Sequence, residues 1–178
     1  MRRPVVIAVA GSKSSGKTTT IEVLVRELSK KGYKVAAMKH ISELNFTIDA
    51  AEKDTWRFAQ AGAKTIISVA SDEIATIEKV NTENLPLEAI LEKCKGKDVI
   101  FLEGFRKIVS KNKNIPKIVT VESASDVSEA LRQFHPILAF AGTYSAKESN
   151  VKIPYVDALK NPEEIALVVE NFIKKKSV

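Results

Sequence analysis

The chain has 178 residues, 44% of them hydrophobic and only 6% aromatic, and its 28 Lys and Arg against 22 Asp and Glu leave a net charge of +6. That length suits a single domain, residues 1–178, with an aliphatic core. One cysteine, Cys94, excludes an internal disulfide framework and any Cys-based zinc cluster, and it reads as a buried, inert thiol. After Met1-Arg2-Arg3-Pro4 the first apolar run is six residues, too short for a signal-peptide core, and no later run is long enough to span a bilayer. The expectation is a soluble, cytoplasmic protein with no membrane contact. The positive excess is compatible with anionic partners without identifying one. Lys174, Lys175 and Lys176 suit the negative end of the last predicted helix better than a binding patch.

In chain order, Val5 to Ala10 is a continuous apolar run of strand length, the mark of a strand buried on both faces. Ile21, Leu24, Val25 and Leu28 then recur at helical spacing, and Gly32 is placed to close that helix in a left-handed cap. Tyr33 to Met38 is a second strand, followed by a polar, irregular stretch from Lys39 to Lys53. "DTWRFAQAGA" reads as a short helix capped by Asp54 and ended by Gly62. "TIISVAS" and "EIATIEKV" predict a hairpin turning at Ser71-Asp72. Leu87, Ile90 and Leu91 mark a helix stopped near Gly96, "DVIFLEG" and "KIVTVE" are strands, a helix surrounds Val127 to Leu131, and "PILAFAG" is another strand. The final helix has Asn161 as cap, Pro162 in its first turn, and Ile165, Val168, Val169, Phe172 and Ile173 as its apolar face. Alternating strands and helices predict an α/β three-layer sandwich, a mostly parallel sheet with helices on both faces.

Between the first strand and the first helix lies Gly11-Ser12-Lys13-Ser14-Ser15-Gly16-Lys17-Thr18, which matches G-x-x-x-x-G-K-[ST], the P-loop pattern. Glycine permits backbone conformations that a Cβ obstructs and lets the main chain approach phosphate. Consecutive amides then form an anion nest, and the following helix adds its positive N-terminal end. Gly11 to Thr19 are therefore the predicted phosphate ligands of a P-loop NTPase fold: Lys17 reaches the β- and γ-phosphates, Thr18 holds Mg²⁺ and Thr19 touches the α-phosphate. Some chains with this loop carry a lysine directly after the first glycine. That position is Ser12 here, so Lys13 is a weaker candidate for a phosphate or partner contact.

Mg²⁺ needs a carboxylate at the same edge. In parallel α/β sheets ligands collect at the carboxyl ends of the strands, which selects Glu103 at the end of "DVIFLEG" over Asp98 at its start. The loop after the second strand supplies Asp49, placed to ligate Mg²⁺ or orient an attacking water, and Asp54, whose competing task is the helix cap. Lys39-His40 ends the second strand at this edge, where His40 is either structural or part of the site.

Together the P-loop, the "KH" pair, "D…KDTWRFAQAGA" and "LEGFRK" resemble the molybdopterin-guanine dinucleotide biosynthesis protein B (MobB) family, from Val5 to about Lys107. The resemblance implies a SIMIBI-class P-loop protein that binds GTP with Mg²⁺, hydrolyses it slowly and acts as a homodimer. It also implies an accessory role in molybdenum cofactor maturation, assisting the molybdopterin guanylyltransferase that joins GMP to molybdopterin. Asp49 would match the loop aspartate and Glu103 the strand-end glutamate before Gly104. The chain departs from the family pattern where Ile41, Ser42 and Glu43 replace extra histidines after "KH", and where Glu52 replaces a glycine before "KD". No [NT]-K-x-D guanine motif is present; in "AGTYSAK", Ser145 or Lys147 is placed to contact a base.

From Gly104 to Val121 the chain carries Arg106, Lys107, Lys111, Lys113 and Lys117 and no acid. This is either a solvated loop or a surface for an anionic pterin phosphate or an acidic partner. It lacks the interleaved aromatics of a nucleic-acid groove, so nucleic acid is not the expected partner. Two rival classes share the loop. A small-molecule kinase needs an Arg-rich lid, whereas Arg57, Arg106 and Arg132 are scattered. A metal-delivery GTPase needs a storage tract that two histidines and one cysteine do not provide.

Overall fold

The computed structural model describes residues 3–144 and 152–176. Its elements in chain order are β1 (Val5–Ala10), α1 (Lys17–Lys30), β2 (Val35–Lys39), α2 (Asp54–Gln60), β3 (Thr65–Val69), β4 (Ile74–Glu78) and α3 (Leu87–Leu91). There follow β5 (Val99–Glu103), α4 (Arg106–Val109), β6 (Lys117–Thr120), α5 (Ala124–Gln133), β7 (Ile137–Ala141), β8 (Tyr155–Val156) and α6 (Pro162–Lys175). The chain forms two compact units, Met1–His40 with Leu91–Val178, and Ile41–Ile90.

The larger unit holds a six-stranded sheet in the order β2-β5-β1-β6-β7-β8, with every described pairing parallel. Two buried clusters cover its faces. Ile7, Val9, Val99, Phe101 and Ile118 pack against Leu24 and Leu28 of α1 and Ile165 and Val169 of α6. Ala10, Val119, Val121 and Phe140 pack against Val127 and Ala130 of α5 with Phe134. Alternate residues of β1 and β6 thus serve opposite faces, which is why these strands read as unbroken apolar runs. The result is the expected three-layer α/β sandwich.

Local signals fix the helix ends. Gly32 has φ 86°, Gly32 N–H donates to Ser29 O at 2.9 Å and Tyr33 N–H to Leu28 O at 3.1 Å, a Schellman closure of α1. Ser123 caps α5 by accepting from Asp126 N–H at 3.2 Å. Asn161 holds the cap position of α6, but its side chain makes no cap hydrogen bond. Val23 is buried where the spacing had pointed to Val25, which is only partly covered. Cys94 is half-buried rather than enclosed, and burial still pushes its thiol up.

The smaller unit pairs α2 with an antiparallel β3–β4 hairpin. The helix begins at Asp54 itself, so Lys53 takes the cap position and Asp54 lies one residue inside, pairing with Arg57 at 3.5 Å. Gly62 closes α2 as Gly32 closes α1, with φ 109° and Ala63 N–H on Phe58 O at 3.1 Å. In the hairpin Ile66 and Ile77 oppose one another on the covered face, while Ile67, Val69 and Ile74 stand exposed on the other.

Helices α1 and α6 are joined by charge. Glu170 receives Lys174 Nζ at 2.8 Å and Lys31 Nζ at 2.6 Å, and these partners pull its carboxyl from 4.5 down to about 2. A carboxylate held below its unfolded value stabilises the fold above that value and loses the contribution as pH falls through the folded one. Glu170→Gln should therefore lower the melting temperature at pH 7, and the gap from wild type should close between pH 4.5 and about 2. Thermal melts of both proteins across that range check this; a gap that stays constant would count against the clamp.

Candidate nucleotide site

The parallel sheet brings the carboxyl ends of β1, β2, β5 and β6 to one edge, and the polar turn Gly11–Gly16 lies there between β1 and α1. Left-handed backbone at Ser14 (φ 64°) and Gly16 (φ 88°) folds the turn, and Gly11 has φ 145°. Gly11 is also a contact point: a Cβ there would run into Thr120 Oγ1 and lie 2.7 Å from both Ser15 Oγ and the Thr120 carbonyl oxygen. Ser15 Oγ, buried, lies 2.9 Å from Ser12 O and 2.5 Å from Thr120 Oγ1; Thr120 Oγ1 donates to Ala10 O at 3.1 Å, so the single Ser15 hydroxyl proton serves either Ser12 O or Thr120 Oγ1. The loop is thus braced from β6. Thr120 lies outside the P-loop pattern, and its one signal in the sequence is a hydroxyl inside the apolar run "KIVTV".

Lys17 Nζ folds across the turn onto Ser12 O. Thr18 Oγ1 lies 3.0 Å from both Oε1 and Oε2 of Glu103, and Lys39 Nζ lies 3.1 Å from Oε1. These groups, with Lys13, Ser14, Gly16 and Thr19, line a cavity of about 390 Å³. A hydroxyl and a carboxylate converging at the start of α1 form a hard-oxygen donor set of the kind Mg²⁺ takes, and the Lys39 ammonium shows that the carboxylate accepts a cation. Asp98 lies at the opposite end of β5, where its Oδ2 accepts from Lys34 N–H at 2.7 Å.

His40 hydrogen-bonds through its backbone to Glu103 O at 2.9 Å, and its ring meets Phe105 edge-on at 5.4 Å. Gly104 (φ 83°) and Phe105 (φ 52°) are both left-handed, so the chain turns sharply just after Glu103, and a Cβ on Gly104 would come 3.1 Å from His40 Cβ. That contact gives the imidazole a packing task beside the site.

The predicted basic stretch divides. Lys117 is fully buried in β6, its ammonium donating to Asn112 O at 2.6 Å and His135 O at 2.7 Å, and burial lowers its pKa; it is not available to a partner. Arg106 is turned onto α5, 3.3 Å from Glu129 Oε1 and hydrogen-bonded to Gln133, with its guanidinium 6.0 Å from the Phe134 ring centre. Lys107, Lys111 and Lys113 remain exposed. Asp49 belongs to the smaller unit. Its Oδ1 accepts from Thr55 Oγ1 at 2.9 Å, at the start of α2. Ser145 and Lys147 lie outside the described residues.

The family model for molybdopterin guanine dinucleotide synthesis protein B matches residues 6–143. The chain belongs to the MobB family. A molybdopterin-guanine dinucleotide biosynthesis adapter protein of Haemophilus influenzae is 32% identical over 115 residues, 64% of this chain and 61% of that protein. A Methanocaldococcus jannaschii protein assigned to the same adapter role is 36% identical over 118 residues, 66% of this chain and 47% of the relative. The chain thus spans about half to three fifths of the length of these two relatives. A crystal structure of molybdopterin-guanine biosynthesis protein B superposes with a TM-score of 0.73 at 23% identity, covering 96% of this chain and 99% of that one, which establishes the shared fold.

Glu52 adopts φ 70°, a conformation glycine takes without strain. Glu52→Gly should stabilise the smaller unit by roughly 0.5–1 kcal/mol, read as slower amide exchange across α2. Gly11→Ala should lower overall stability by about 2 kcal/mol or more in denaturant melts, because Thr120 backbone and side chain both occupy the space a methyl group needs.

Proposed function

We propose that this MobB-family chain is a cytoplasmic GTP-binding adapter of molybdenum cofactor biosynthesis, at most a slow Mg²⁺-dependent GTPase. It would act as a homodimer assisting the guanylyltransferase that attaches GMP to molybdopterin. The observation that carries the reading is Thr18 Oγ1 at 3.0 Å from both carboxylate oxygens of Glu103, at the mouth of a braced P-loop. In this reading the main chain of Gly11 to Thr19 and the Lys17 ammonium hold the phosphates, with Lys13 at the rim. Thr18 and Glu103 hold Mg²⁺, which would neutralise phosphate charge. The exposed Ile67, Val69 and Ile74 on one hairpin face support a self-association surface. The exposed Lys107, Lys111 and Lys113 support contact with an anionic cofactor or partner.

Calorimetry with GTP and ATP, with and without Mg²⁺, tests the reading. Wild type should bind GTP more tightly than ATP. Lys17→Ala should weaken GTP binding roughly 10–100-fold, the loss expected for a charge-assisted contact. Glu103→Gln should abolish most of the Mg²⁺ enhancement while leaving Mg²⁺-free binding within a few-fold of wild type. Absence of triphosphate binding in wild type, or rapid phosphoryl transfer to a small acceptor, would overturn the proposal.

A further inference from the structure

A second cavity, about 200 Å³, adjoins the phosphate cradle: Ser14, Gly16 and Thr19 line both. Its remaining walls come from the carboxyl ends of three neighbouring strands, with Glu122 after β6, Gly142 and Thr143 after β7, and Asp157 after β8. Gly142 makes this corner tight, since it has φ 123° and a Cβ there would come 2.5 Å from Val121 O. A nucleoside whose phosphates occupy the first cavity meets the second on its sugar and base side.

We infer that this cavity holds the base and that Asp157 selects guanine, an assignment that rests on the nucleotide reading above. Asp157 is set in place by its own turn: Oδ1 accepts from Leu159 N–H at 3.1 Å and Lys160 N–H at 3.2 Å. Among the described residues its Oδ2 faces only the Lys160 ammonium, at 3.6 Å on a side chain 82% exposed, which water or ligand displaces readily. One oxygen therefore fixes the carboxylate and the other remains to accept. Glu122 adds a second acceptor; its backbone N–H is held by Asp126 Oδ2 at 2.8 Å, and no hydrogen bond to its side chain is formed among the described residues.

A carboxylate only accepts hydrogen bonds. Guanine presents adjacent donors, N1–H and the N2 amino group, on one edge. Adenine presents N1 there as an acceptor, whose lone pair would oppose the carboxylate. Two acidic side chains on one wall thus favour guanine, and they do so without the [NT]-K-x-D motif.

Asp157→Asn separates reading from folding. Asparagine Oδ1 still accepts from Leu159 and Lys160 N–H, so the turn is retained, while an amide donor replaces Oδ2. That donor opposes the guanine amino group and matches the C2 oxygen of xanthine. Calorimetry on the full chain with GTP, XTP, ATP and base-free tripolyphosphate gives the result. Tripolyphosphate affinity should be unchanged and the GTP-over-XTP preference should fall roughly 100-fold; a fall of less than tenfold overturns the assignment. A wild type that prefers ATP to GTP overturns it as well, while leaving nucleotide binding standing. A wild type that binds neither GTP nor tripolyphosphate removes the nucleotide reading itself, and this inference with it. If Asp157→Asn loses tripolyphosphate binding, Glu122→Gln decides, since its side chain is exposed: its GTP-over-ATP preference should fall at least fivefold, and a smaller change overturns the assignment.

Discussion

Thr120 Oγ1 occupies the space that a side chain on Gly11 would need, and that single close approach organises the edge of the sheet. The hydroxyl donates to Ala10 O and meets Ser15 Oγ, so the last residue of β1, the P-loop and the last residue of β6 share one buried polar junction. A loop rich in amides and hydroxyls is otherwise expected to be mobile. Here its conformation is set by strand pairing on one side and by the first turn of α1 on the other, where Thr20 N–H and Oγ1 both reach Gly16 O at 2.9 Å. A preorganised nest of amides spends less binding energy on ordering itself, which is the physical reason a P-loop is built onto a central strand.

The same logic explains the neighbouring corner. Glu103 ends β5, and two left-handed residues, Gly104 and Phe105, turn the chain into the short α4. A non-glycine residue held left-handed stores strain that surrounding contacts must offset. Phe105 is buried and its ring meets His40, while Arg106 is tied to α5 through Glu129 and Gln133. The Glu103 carboxylate is therefore aimed by packing on both sides of it, and His40, which sequence logic left between two roles, contributes through that packing.

The β1–loop–α1 unit was legible because everything that specifies it is local: an apolar run, a glycine pattern and a helical period within 24 residues. The two Schellman closures were legible for the same reason, since Gly32 and Gly62 announce themselves. What stayed hidden depends on distant partners. Lys117 counts as one more positive charge in a string, and only the fold shows it enclosed by β6 and bonded to two carbonyls. Two-residue β8 and four-residue α4 are too short to show a period, yet β8 delivers Asp157 to the sheet edge and α4 carries Arg106. Asp54 shifted by one position, from cap to first turn, because a cap is defined by backbone geometry that Lys53 also satisfies.

Charge, finally, is better understood as local than as a total. Five of the cations sit in structural pairs on three carboxylates: Lys31 and Lys174 on Glu170, Arg26 and Lys30 on Glu27, whose carboxyl the Lys30 and Arg26 hydrogen bonds hold down, and Arg106 on Glu129. Around the first cavity three lysines, Lys13, Lys17 and Lys39, stand against one carboxylate, Glu103, a local excess of two positive charges. A nucleoside triphosphate with one bound Mg²⁺ carries about two negative charges, so the cavity is suited to the metal complex as a unit. Without the metal the ligand brings about twice that charge, and Glu103 would then add repulsion. In the proposed reading, the pairing of Glu103 with Thr18 would make the metal a condition of tight binding, and the acidic wall beyond Thr19 would repel phosphate and admit the uncharged base. One sheet edge, cationic at one cavity and acidic at the next, would orient the proposed nucleotide by sign before any individual hydrogen bond is made.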